Sequence, residues 1–81
     1  MKLLKKKGYE GTLRKVVNDE RTEVLGIVGT VGDLLREKVL DYCDAPSGMW
    51  ACVRPDCKAF FAENREDAIT AAGIIEKEVS A

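Results

Sequence analysis

Three glycines, Gly26, Gly29 and Gly32, interrupt an apolar stretch near the middle of the chain. The apolar residues of this stretch recur at helical intervals of three and four residues, at Val24, Val28, Val31, Leu35 and Val39. A single helix over residues 22–43 would hold all three glycines in its interior, where each costs roughly 0.8–1 kcal/mol relative to alanine. The sequence therefore favours a strand that ends near Gly29, a short turn, and a helix from Asp33, its N-cap, to Cys43. The single helix is the alternative.

Strands are predicted from runs rich in β-branched and aromatic residues, at 12–17, 22–29, 49–53 and 57–62. The first two flank the polar turn Asn18–Arg21, and the last two flank Arg54-Pro55-Asp56, where Pro55 suits the second position of a type I turn. Pro46 and Gly48 mark the loop between the two pairs.

A second helix is predicted to begin after Asn64 as its N-cap, with Asp67 in the capping-box position, and to run to about Val79. The element order is then β-β-α-β-β-α. This order predicts an α+β, two-layer sandwich with a four-stranded antiparallel sheet and both helices on one face. The expected core is Val17, Leu25, Ile27, Leu35, Val39, Trp50, Cys52, Phe61, Ala68, Ala72 and Ile75.

The chain has 81 residues and no histidine. Its length predicts a single domain over 1–81, with residues 1–8 as a candidate flexible basic tail. The lack of histidine removes Ser-His-Asp and Cys-His catalysis and every histidine metal site. We therefore expect no enzyme activity and no cofactor.

Three cysteines, Cys43, Cys52 and Cys57, are separated by eight and four residues and provide only three thiol ligands for zinc. A fourth ligand would have to be Asp44, Asp56 or water, so no metal site is predicted. A Cys52–Cys57 disulfide could close around the intervening turn, although a reducing compartment would open it. Cys57 has Arg54 and Lys58 beside it, which makes a reactive thiolate the catalytic alternative. The favoured interpretation is three unpaired cysteines, with Cys52 as a small apolar core residue, Cys57 as its neighbour and Cys43 at the end of the helix.

Charge divides the chain unevenly. Residues 1–21 hold seven of the 13 basic residues but only three of the 14 acidic ones. An acidic face at the second helix is predicted to bind a protein partner, one that is basic or handles nucleic acid, through Glu63, Glu66, Asp67 and Glu76. The alternative is a nucleic-acid-binding protein that uses Lys2, Lys5, Lys6, Lys7, Arg14 and Lys15.

The basic start of the chain lacks the apolar segment of a secretory signal, and the longest uncharged run is far shorter than a membrane span. The sequence therefore predicts a cytoplasmic protein with no membrane contact. A homodimer is favoured over a monomer, because a small sheet gains burial when its edges are covered. The predicted function is a small regulator or inhibitor that acts by covering the surface of its partner.

Residues 50–69 run through a strand, a proline-bearing turn, a second strand and a helix that opens on acidic residues. The segments are Trp50-Ala51-Cys52-Val53-Arg54-Pro55, Phe61-Ala62-Glu63 and Glu66-Asp67-Ala68-Ile69. This run resembles the core of the HicB antitoxin family, without the glycines that flank the second strand in that family. The resemblance implies a domain that masks another protein.

Overall fold

The computed structural model describes residues 2–5, 11–41 and 44–74. Its elements are β1 (Lys2–Leu4), β2 (Arg14–Val17), β3 (Val24–Thr30), α1 (Val31–Arg36), β4 (Trp50–Val53), β5 (Ala59–Ala62) and α2 (Arg65–Ala71). The strands form one antiparallel sheet in the order β1-β2-β3-β4-β5, so each strand pairs with the next along the chain. The predicted α+β class and antiparallel sheet are confirmed.

Within the described residues the sheet has five strands, so the prediction of four was wrong. The additional strand is β1, whose residues 2–4 were assigned to a candidate basic tail and instead pair with residues 15–17 of β2. Residues 6–8 of that candidate tail lie outside the described residues. The element order within the described residues is therefore β-β-β-α-β-β-α.

The two helices pack on opposite faces of the sheet, which corrects the prediction of one shared face. Ala68, Ile69 and Ala72 of the α2 region pack with Cys52 of β4. Val31 and Leu34 of α1 instead pack with the residues on either side of Cys52, namely Ala51 and Val53. Successive side chains of a strand point to opposite faces, so this alternation along β4 assigns one helix to each face.

The buried apolar residues are Leu13, Val16, Val17, Val28, Val31, Leu34, Ala51, Cys52, Val53, Ala68, Ile69 and Ala72. Four predicted core residues are among them: Val17, Cys52, Ala68 and Ala72. Five others are half-buried: Leu25, Ile27, Leu35, Val39 and Trp50. Phe61 is 40 % exposed, so its assignment to the core was wrong. Ile75 lies outside the described residues.

The alternative of one long helix fails at β3, because Gly26 and Gly29 both lie in this strand. Gly29 has a packing reason to lack a side chain. A Cβ atom there would stand 2.5 Å from Cδ2 and 3.3 Å from Cα of the fully buried Leu13. Leu13 therefore packs directly against the backbone of β3 at Gly29.

Helix α1 begins at Val31 and ends at Arg36, so both predicted boundaries, Asp33 and Cys43, were wrong. Thr30 is the N-cap, and its hydroxyl accepts a hydrogen bond from the amide of Asp33. At the other end Lys38 adopts a left-handed conformation with φ of 62°. The amides of Lys38 and Val39 donate to the carbonyls of Leu35 and Leu34, which is the Schellman pattern that terminates helices.

Helix α2 begins as predicted, because Asn64 is its N-cap and accepts a hydrogen bond from the amide of Asp67. Its predicted extension to Val79 was wrong, since the helix ends at Ala71. Gly73 then adopts φ of 75°, and the amides of Gly73 and Ile74 close a second Schellman motif. The guanidinium of Arg54 donates to the carbonyl of Ala72, which places a positive charge at the negative end of the helix dipole.

Candidate functional site

The predicted acidic face lies where β5 leads into α2. Glu63 follows β5 directly, and Glu66 lies in the first turn of α2; both are exposed. Within the part of the chain that the structure describes, neither carboxylate forms a hydrogen bond or an ion pair. Two exposed negative charges are therefore available on a segment that the helix cap holds in place.

Asp67 helps to cap α2, as its capping-box position predicted, and its carboxylate is bonded to the side chain of the N-cap residue. Its side chain accepts a hydrogen bond of 3.1 Å from Nδ2 of Asn64, while its amide donates to Oδ1 of the same residue at 2.8 Å. This reciprocal pair closes the N-terminus of α2. The carboxylate of Asp67 is thus engaged locally, and Glu76, the fourth predicted member of the acidic face, lies outside the described residues.

A shallow hollow of about 370 Å³ adjoins the acidic face. It is lined by the half-buried Trp50 and by the exposed Asn64, Arg65 and Glu66. Arg65 places a positive charge beside Glu66, so the surface is acidic but not uniformly so. The hollow combines an aromatic surface with charges of both signs, which suits the side chains of a protein partner.

The predicted basic residues are divided among several parts of the sheet. Lys2 and Lys5, in and after β1, are exposed. Arg14 and Lys15 are half-buried and point to opposite faces, because they pair with Val28 and Ile27, which belong to different apolar clusters. Lys6 and Lys7 lie outside the described residues.

The guanidinium of Arg14 donates to two nearby carbonyls, those of Gly11 at 3.2 Å and Leu13 at 2.7 Å. These local bonds occupy part of its donor capacity. Among the predicted basic residues that the structure describes, Lys2 and Lys5 are therefore the exposed ones.

Cys52 and Cys57 are both free thiols, so they do not form the disulfide considered from the sequence. Burial raises the pKa of the Cys52 thiol to about 11, which keeps it protonated at neutral pH. Cys57 is exposed at the tip of the β4–β5 hairpin. The guanidinium of Arg54 is directed to the end of α2. Of the two cations expected to activate Cys57, Arg54 therefore has another partner.

No group of three or more potential ligands for a metal ion occurs within residues 2–5, 11–41 and 44–74. Over the same residues, neither helix has the length and apolar character required to cross a membrane.

A hydrogen-bonded connection that the sequence did not reveal joins the start of β2 to α1. Both the amide and the hydroxyl of Thr12 donate to Oδ2 of Asp33, at 2.8 and 2.7 Å. The Thr12 hydroxyl also accepts from the amide of Thr30 at 3.0 Å. The hydroxyl and amide of Thr12, aided by the charge of Arg36, hold the pKa of the Asp33 carboxyl below its ordinary value. Thr12 and Asp33 are 21 residues apart, so no local pattern predicts this connection.

Phe61, which the sequence analysis placed in the core, lies on the surface instead. It pairs with Ala51 on the face of the sheet that α1 covers. Its neighbour Phe60 pairs with Cys52 and packs against the buried cluster of Cys52 and α2. A usable signal was present, because two consecutive residues of a strand cannot both point to the same face. The structure assigns the interior to Phe60 and leaves Phe61 40 % exposed.

Comparison of the chain with protein-family models, with curated proteins and with solved structures found no significant match.

Proposed function

We propose that this protein is a small, non-catalytic regulator or inhibitor that acts by covering the surface of a basic protein partner. The contact surface is the junction between β5 and α2, with Glu63 and Glu66 as its charged contacts and Trp50 in the adjoining hollow. The observation that carries the proposal is the pair of exposed carboxylates, Glu63 and Glu66, that form no bond within the described part of the chain.

Electrostatic complementarity of this kind steers a partner and selects its orientation, while an adjoining aromatic surface contributes to affinity. The hollow beside Glu66 provides such a surface through Trp50. Asp67 supports the contact indirectly, because its bonds to Asn64 hold the first turn of α2.

The alternative is a nucleic-acid-binding protein that uses the basic residues of β1 and β2. Phosphate recognition needs several cations along one surface. The exposure of Lys2 and Lys5 on one edge of the sheet favours this alternative. The opposite orientations of Arg14 and Lys15, and the local bonds of Arg14, reduce its support.

The test is affinity capture from native cells after nuclease treatment, with the double variant Glu63→Lys, Glu66→Lys. Asp67 is left unchanged, because its reversal would also damage the helix cap. The matched control is Glu20→Lys, Glu23→Lys, which makes the same charge change at two exposed acidic residues in the β2–β3 hairpin.

A protein captured by the wild type and the control, but lost from the Glu63/Glu66 variant, supports the proposal. Equal capture by all three proteins rejects this surface. The alternative predicts that Lys2→Glu, Lys5→Glu abolishes binding to RNA or single-stranded DNA, and that wild-type binding weakens steeply with added salt.

A further inference from the structure

The outer edge of β5 presents backbone groups that β4 does not use. Where β4 and β5 meet their turn, the amide of Arg54 donates to the carbonyl of Lys58 at 2.8 Å, so the carbonyl of Lys58 points towards β4. Backbone groups of an antiparallel strand face alternate sides from one residue to the next. The amide and carbonyl of Phe60 therefore also face β4, while the amides and carbonyls of Ala59 and Phe61 point to the outer edge.

The two edges of the sheet differ in how they are protected from pairing with another strand. At the β1 edge, Lys2 is exposed and Lys5 follows directly, and charged lysines discourage strand addition. The β5 edge reads Ala-Phe-Phe-Ala, without a charge, a proline or a bulge. Its Phe61 side chain is 40 % exposed. An edge of this kind is normally covered.

We propose that β5 pairs antiparallel with β5 of a second copy of this chain, about a two-fold axis at Phe61, and so joins the two sheets. Residues directly opposite each other in an antiparallel pair alternate between hydrogen-bonded and non-hydrogen-bonded pairs, and the outward backbone groups of Phe61 make the pair on the axis a hydrogen-bonded one. Phe61 then lies opposite Phe61 of the second copy, and Ala59 lies opposite Glu63. The two exposed aromatic side chains meet on the same face of the joined sheet and cover each other.

The charges at the ends of β5 favour this antiparallel arrangement of two identical strands. Lys58 precedes the strand and Glu63 follows it. In an antiparallel pair the positive end of each strand lies beside the negative end of the other, whereas a parallel pair would place like charges together. The edge is therefore complementary to itself in both hydrogen bonding and charge.

The expected dimer is reversible. A strand of four residues covers less area than the roughly 1,200 Å² at which stable protein interfaces begin. Association should therefore depend on concentration, with a dissociation constant in the micromolar range or above. Glu66 lies beyond the paired strand and remains exposed, whereas Glu63, the other charged contact of the proposed partner surface, lies opposite Ala59 in the dimer. The two surfaces share Glu63, but the strand pairing is argued from the β5 edge and does not rest on the proposed function.

Sedimentation velocity from about 5 to about 500 µM protein tests the association directly. We expect a rise towards twice the monomer mass, and Phe61→Lys should raise the dissociation constant roughly tenfold or more, because like charges then lie opposite each other. Val24→Lys is the matched control, since Val24 is 44 % exposed on β3, away from the β5 edge. It should leave association unchanged, and circular dichroism should show that both variants are folded.

Amide hydrogen exchange of the wild-type protein, measured by NMR, locates the interface without any variant. Exchange at Ala59 and Phe61 should slow severalfold between the low and high concentrations, while Phe60 should be equally protected at both because its amide faces β4. A monomer at the highest concentration overturns the proposal. So does a dimer in which Ala59 and Phe61 exchange at the monomer rate, or one that Phe61→Lys does not weaken.

Discussion

Replacing Asp33 with alanine tests the connection between β2 and α1. The side chain of Asp33 is 18 % exposed, and its Oδ2 accepts from both the amide and the hydroxyl of Thr12. The variant removes this shared acceptor and leaves the half-buried amide and hydroxyl of Thr12 without it. It also removes the 3.0 Å ion pair with Arg36, which contributes little because Arg36 is half exposed.

Hydrogen bonds to a charged group contribute about 1.5–3 kcal/mol each when fully buried. Water can reach part of this site, so we expect a loss of about 2–3 kcal/mol for the two bonds together. The whole domain should unfold with roughly 4–12 kcal/mol at its length. For a domain of this size the loss corresponds to a fall in Tm of roughly 10–20 °C.

Thermal and urea unfolding followed by circular dichroism measure this loss. The control is Asp41→Ala, which removes an exposed carboxylate downstream of α1 and should change stability by less than about 0.5 kcal/mol. If both substitutions lower the free energy of unfolding by the same small amount, the hydrogen bonds between Thr12 and Asp33 do not contribute as argued.

The same carboxylate predicts a pH dependence. Thr12 lowers the pKa of Asp33 in the folded state, so the folded state favours the ionised form. The stabilisation is fully present above the unfolded-state pKa of about 3.9 and is lost as the pH falls through the lower folded-state pKa. The stability difference between the wild type and Asp33→Asn should be constant from pH 5 to pH 8, within about 0.3 kcal/mol, and should narrow below about pH 4. A constant difference down to pH 2 would contradict this reasoning.

Further predictions concern backbone conformation, packing and thiol reactivity. Lys38→Gly should stabilise the protein by up to about 1 kcal/mol in urea unfolding, because glycine adopts a φ of 62° without steric cost; a loss of stability would contradict the left-handed conformation. Gly29→Ala should cost about 1–3 kcal/mol in the same assay, because its Cβ would overlap Leu13, and an unchanged stability would show that Leu13 can move. Iodoacetamide at pH 7 should modify Cys57 in the folded protein but Cys52 only after unfolding, as read by peptide mass mapping; rapid modification of Cys52 would disprove its burial.

The turns and the start of α2 could be predicted from the sequence because a few adjacent residues determine them. The amide of Arg21 donates to the carbonyl of Asn18 at the β2–β3 turn, and the amide of Cys57 donates to the carbonyl of Arg54 at the β4–β5 turn, as the polar and proline residues indicated. Asn64 caps α2 because its side chain reaches the amide of Asp67. Each of these bonds spans only three residues.

The helix ends were less accessible to sequence analysis, and the two ends differ. Gly73 carries a signal for the end of α2, since glycine is common at the left-handed position after a helix. Lys38 occupies the same position after α1 without any such signal. There the closing bonds to Leu34 and Leu35 hold a conformation that lysine does not itself favour. The packing of Val39 and Leu40 against the buried cluster that contains Leu34 also supports it.

The face on which each helix packs was decided only by the tertiary structure. The sequence determined the class, since strand-like runs with short polar turns produce an antiparallel sheet. It could not determine register between strands, and register assigns Phe60 to the interior and Phe61 to the surface. It could not anticipate the pairing of β1 or the contact of Thr12 with Asp33, because these join segments far apart in the chain. Turn and cap hydrogen bonds depend on a few adjacent residues. The faces and edges of the sheet, and the contacts between distant segments, are defined only once the strands have paired.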